Sequence, residues 1–163
     1  EVSHHPRATS HVRHPGARAH PGTRLTPMPG ISDLDQNLAS LDATPNGLYV
    51  YASLPAVPEG LTPFAVIRED EGVTVIVTEQ EARDAGLPLD ETYARITLGV
   101  HSALDSIGLT ATVAQTLAAR SISCNVVAGY YHDHLFVQAD RATEAAELLD
   151  GLTRQARGWL PRG

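Results

Sequence analysis

The sequence predicts an α+β fold in which helices cover one face of a largely antiparallel sheet. Two patterns carry that expectation. Runs in which apolar residues recur at every second position alternate with segments in which they recur every three to four, and the last third reads strand, helix, strand, strand, helix. Composition agrees: of 163 residues, 42% are hydrophobic and 19% charged, enough apolar material for a core without staples. The single Cys124 excludes an internal disulfide framework and a Cys-based zinc cluster.

Net charge is −7, and the twelve basic residues are all Arg. An acidic chain without a clustered basic surface does not suit nucleic acid. No run approaches the roughly 18 apolar residues of a membrane span. A cytoplasmic protein with neither kind of partner is expected. The charge is unevenly spread: residues 1–30 hold four Arg and one acid, the remainder eight Arg and eighteen acids. The first segment also carries five of the eight His and five of the eleven Pro. It has no apolar period and cannot bury enough surface to offset its conformational entropy, so it reads as a disordered tail. It lacks the apolar stretch of a secretory signal. Its His4, His5, His11, His14 and His20 are irregularly spaced among Pro and Arg, with no rigid scaffold to set a coordination geometry. No metal and no cofactor are expected.

From residue 31 the texture changes. Leu34, Leu38 and Leu41 recur at helical spacing, with Ser32 or Asp33 as N-cap, and Pro45-Asn46-Gly47 stops that helix. GLYVYASLP is a strand with Leu48, Val50 and Ala52 on one face and Tyr49 and Tyr51 on the other. A Pro-rich loop covers 55–63, and order resumes at PFAVIREDEG, which turns at Gly72. VTVIVT at 73–78 is a short, buried, β-branched strand. EQEARDAG is a short helix closed by Gly86. YARITLGV at 93–100 is a strand with Ile96, Leu98 and Val100 inward.

Leu109, Val113 and Leu117 then mark one face of a helix running to about Arg120. ISCNVVAG at 122–129 alternates Ile122, Cys124, Val126 and Ala128 inward, YYHDH forms a hairpin tip, and LFVQ returns. Asp140 caps a final helix carrying Ala142, Ala145, Leu149 and Leu152. The order from Tyr93 is a split β-α-β, ferredoxin-like arrangement short of its last strand. A strand of the first half is expected to complete the sheet in one body.

Several residues break the local pattern in ways that suggest chemistry. The loop HSALDSIGLT places Asp105 and Ser106 before a helix and Gly108 at its mouth, where no Cβ obstructs a ligand. Helix-start amides suit a carboxylate, and Asp105 suits an ammonium. N-capping accounts equally for Asp105, and better for Ser106. Asn125 and Gly129 disrupt a strand, through edge polarity or by framing a cleft. His132 and His134, with His101, have the residue types of a metal site, but the pair lies on an expected hairpin tip, where ligands are loosely held. His101, Ser102 and Asp105 have the types of a nucleophilic triad without the strand-turn-helix elbow such a triad needs. Cys124 reads as a buried, inert thiol.

The string ITLGVHSALDSIGLTATVAQTLAARSISCNVVAGYYHDHLFV, with REDEGVTVIVTEQEARDAGL upstream, resembles small bacterial ACT domain-containing proteins. The resemblance covers roughly residues 33–153. It implies a degenerate ACT-like half at 31–92 before a clearer one at 93–154, with a C-terminal extension at 155–163. It further implies a ferredoxin-like fold, homodimerisation, and a non-catalytic regulatory role exercised by binding a small effector, usually an amino acid. The ligand residues expected are His101, Ser102, Asp105, Ile107, Gly108, Leu109, Thr110, Asn125, Gly129 and Tyr130. A metal-dependent enzyme centred on His101, His132 and His134, or a pure dimerisation module, are the alternatives. Tyr49, Tyr51 and Phe136 are expected to need cover from a second subunit.

Because residues 1–30 carry no core pattern, a chain starting at Ile31 should unfold as cooperatively as the full chain, with an unchanged midpoint in thermal denaturation. A large drop in that midpoint would show that the tail packs.

Overall fold

The structure, a computed structural model, describes residues 34–100 and 107–159. The tail at 1–30, the caps Ser32 and Asp33, and the loop residues His101, Ser102, Asp105 and Ser106 lie outside the described residues. The elements run α1 (Leu34–Ala39), β1 (Pro45–Leu54), β2 (Ala65–Glu69), β3 (Gly72–Thr78), α2 (Glu79–Asp84), β4 (Tyr93–Thr97), α3 (Leu109–Ala118), β5 (Asn125–Ala128), β6 (Asp133–Gln138) and α4 (Ala142–Trp159). A 3₁₀ turn at Ala139–Arg141 precedes α4.

All six strands form one sheet in the order β2-β3-β1-β4-β6-β5, and every pairing is antiparallel. β6 lies between β4 and β5, so β4-α3-β5-β6-α4 is the expected split β-α-β unit. The first half repeats that plan as β1-loop-β2-β3-α2, with β3 between β1 and β2. Its crossover is the Pro-rich stretch at 55–64, where a helix cannot form. The halves meet at β1 and β4, so the strand that extends the second unit is β1.

Alternation gives the sheet two faces. On one, Ala94, Ile96, Leu135 and Val137 pack against Leu38, Leu109, Val113, Leu117, Ala145 and Leu149 of the helices. On the same side, Val50, Val73, Val75 and Val77 enclose Ala82 of α2. Glu81 accepts from the Thr78 amide and hydroxyl while its own amide donates to Thr78 Oγ1, a reciprocal cap that starts α2 directly from β3. The end of α1 is held by α4: Arg157 Nε donates to the Ala39 carbonyl at 2.7 Å, and Thr153 donates to Leu41 and Leu149 carbonyls. On the other face Tyr49, Ile76 and Phe136 are buried with Tyr51, Phe64, Tyr93 and Val127 around them.

Several expectations need correction. β5 begins at Asn125 rather than 122, and Val126 and Ala128 are exposed rather than inward, because β5 is an edge strand that no helix covers at that point. α3 ends at Ala118, and Ser121 at φ 56° turns the chain toward β5. The hairpin turn spans Gly129 to His132, closed by the Gly129 amide on the His132 carbonyl. Asp133 and His134 therefore belong to β6, not to a tip. Asp140 lies in the 3₁₀ turn and α4 starts at Ala142. Tyr49 and Phe136 need no second subunit for cover: their exposures are 6% and 0% within the chain itself.

Phe136→Ala should cost about 3–5 kcal/mol, the usual range for a fully buried aromatic. Val126→Ala, on the exposed edge, should stay within about 0.5 kcal/mol. Urea unfolding of both variants checks the contrast.

Candidate functional site

α3 opens on Gly108, which holds the N-cap position in the left-handed region at φ 95°. A side chain there would be strained, and a Cβ would stand 3.1 Å from Leu34 Cδ2. The cap position thus falls on a residue with no side chain, and among the described residues no side chain caps the first turn. The helix itself offers no acceptor for its leading amides, which lie at its positive end. Ile107, beside this entrance, is 87% exposed. The Leu109 side chain is in the core, so only its backbone can reach a ligand.

Thr110 Oγ1 reaches Asp133 Oδ2 at 3.4 Å, which ties the start of α3 to the start of β6. The Gly129–His132 turn leads into that same end of β6, and the exposed Tyr130 ring packs edge-on against Tyr131. Gly129 is required by crowding: a Cβ would lie 2.7 Å from the His132 carbonyl oxygen. Gly108, Thr110, Gly129 and Tyr130 are therefore grouped at one end of the sheet. Asn125 is not part of that group. It pairs with Phe136, three positions along the strand, and cross-strand partners share a face. That is the face away from the helices.

The histidines have backbone and hydroxyl partners. His132 Nδ1 lies 3.3 Å from the Val100 carbonyl oxygen and His134 Nδ1 lies 2.9 Å from Thr97 Oγ1. Burial, followed by the charges of Arg95 and His132, lowers the pKa of His134 below its ordinary value. Among the described residues no three His, Cys, Asp or Glu side chains come together as a metal site. Cys124 is half-buried against the helix-side core, and burial raises its thiol pKa.

Two arrangements were not found from the sequence. One is a cleft of about 550 Å³ lined by Glu91, Tyr93, Ser123, Gln138 and Asp140. It lies at the Gln138 end of β6, opposite the α3 entrance, and contains none of the expected ligand residues. The other is on the open face. Edge-to-face contacts link Phe136 to Tyr49, Tyr51 and Phe64 at 5.5, 5.5 and 5.7 Å, and Arg95 lies over Tyr49 and Phe64. Alternation within YARIT already turned Arg95 away from Ala94 and Ile96. The strand order that brings it to Phe64 is not local information.

ACT domain family models match residues 29–94 and 89–150. The Vibrio cholerae protein VC0802, of unknown function and described as a possible transport protein, is 39% identical with a TM-score of 0.66. That match covers 74% of this chain and 95% of the other. The Agrobacterium tumefaciens protein Atu0741 shares the fold at 22% identity and a TM-score of 0.56, over 69% of this chain and 89% of its own. No curated protein matches. No helix among the described residues is long and apolar enough to cross a membrane.

Tyr51 provides a test of the open-face packing. Its hydroxyl is buried without a hydrogen-bond partner, and burial, with Tyr93 and Cys124 adding, pushes its pKa from 10.0 up to about 12. The neutral form is the one the fold favours, so its contribution is fully present below pH 10 and is lost as pH rises toward 12. Absorbance titration should show one tyrosine ionising near pH 12, a step missing in Tyr51→Phe. That variant should be no less stable at pH 7, because no hydrogen bond is lost.

Proposed function

The chain belongs to the ACT domain family, and from that premise we propose that it is a non-catalytic regulatory module that binds a free amino acid. ACT domains are typically regulatory, small-molecule-binding units, and this chain carries two in tandem. The observation that supports the finer reading is the entrance to α3. Gly108 in a left-handed conformation leaves the backbone open to close approach, and among the described residues no side chain caps the first turn. The ligand carboxylate accepts hydrogen bonds from backbone amides around Ile107 to Thr110. Asp105 pairs with its ammonium, and His101 and Ser102 border it from the same loop. Gly129 and Tyr130 frame the ligand side chain from the β5–β6 turn. The chain pairs with a second copy of itself through the sheet edges β2 and β5, where Val66, Ile67 and Val126 are exposed.

A thermal-shift screen of the twenty amino acids against the full chain should find one that raises the unfolding midpoint, since a ligand specific to the folded state stabilises it. Asp105→Asn should leave the ligand-free midpoint nearly unchanged and weaken binding by roughly one to two decades, the worth of one charge-assisted hydrogen bond. Unchanged affinity in calorimetry would remove Asp105 from the site. No binding by the parent chain would overturn the reading.

A further inference from the structure

We propose that Arg95 anchors a carboxylate-binding site on the open face of the sheet, separate from the α3 entrance and independent of it. The Arg95 side chain rises from β4 and sets its guanidinium carbon 5.0 Å from the Tyr49 ring centroid and 4.9 Å from that of Phe64. Two aromatic faces hold the positive charge in place. They accept none of its hydrogen bonds. Arg95 Nε is buried and has no partner, and among the described residues no carboxylate pairs with this guanidinium, whereas Arg83 and Arg141 each have one. A buried donor left unmet is costly in a stable fold. A carboxylate would offset that cost, because its two oxygens match the planar guanidinium fork.

The neighbours refine the ligand class. Thr97 and His134 share the face with Arg95 and are tied to one another. Asn125, opposite Phe136, adds an amide at the next strand. Arg95 is the only permanent cation in this group, so the site is balanced by a monoanion rather than by a phosphate with its second charge. Around it stand Phe64, Phe136 and Val127. A carboxylate with an apolar body fits a cation bordered by rings. Such a group reaches the face either on a free small molecule or on a side chain of a second copy.

Nitrogen-detected shifts of the Arg95 Nε–H separate these sources in the full-length protein. Acetate and benzoate are titrated at constant ionic strength against chloride, with sedimentation velocity run in parallel. A saturable Nε–H shift with benzoate stronger than with acetate, on a species of constant mass, supports the site with a free ligand. A shift that follows protein concentration without added anion, together with self-association weakened about tenfold by Arg95→Gln, supports the site with a second copy as ligand. An Nε–H signal unmoved by either carboxylate and by protein concentration overturns the proposal. So does a benzoate response of the backbone amides that persists unchanged in Arg95→Gln. The first measurement needs no variant, so a folding defect in Arg95→Gln leaves the test intact.

Discussion

β1 and β4 pair antiparallel at the centre of the sheet, and both halves of the chain lean on that pairing because neither half closes a sheet by itself. Each half supplies three strands with its third inserted between the first two. That leaves one side of β1 and one side of β4 with open backbone donors and acceptors, which must be satisfied when buried. Joining them does so in one step. The pairing carries an irregularity between Pro45 and Leu48, which lets Pro45, with no amide hydrogen, stand at the start of β1 opposite Ile96.

The two faces of the joined sheet are stabilised differently. The helix side is an ordinary aliphatic core, deepest over β4 and β6, where α1, α3 and α4 converge. Over β1 and β3 the cover thins to α2 and the Pro-rich loop, which Thr62 pins to Glu81 at 2.7 Å. Among the described residues no helix lies over the open side, which relies on a few large rings in edge-to-face contact. Such contacts add about 0.5–1.5 kcal/mol per pair beyond area burial. Arg95 borders that cluster with its guanidinium over Tyr49 and Phe64, and Phe136 is fully buried within it.

Polar chemistry gathers where that regular packing stops. The end of the sheet at Gly108, Thr110, Asp133 and Gly129 brings together a helix start and a strand turn. Recognition rather than bond-making is the typical work of the ACT family.

Much of the fold was legible in the residues. Val73, Val75 and Val77 alternate, Leu109, Val113 and Leu117 recur at helical spacing, and the β-α-β-β-α order from Tyr93 follows from them, because these periods depend only on backbone geometry. The entrance to α3 was legible too, since Gly108 interrupts the pattern where a helix starts. Edge and centre were not: Val126 and Ala128 look as inward as Ile96, and only the strand order leaves them exposed. Nor is the hairpin register legible: the composition of YYHDH predicts a tip, whereas Asp133 and His134 lie in β6. Asn125 and Gly129 both break the strand composition, yet pairing with Phe136 turns Asn125 to the face away from the helices. The sequence by itself determined the periods, the element order and the family. The tertiary structure decided which strands are neighbours, and through that which side chains share a face, because those contacts join residues such as Arg95 and Phe64 that are distant in the chain.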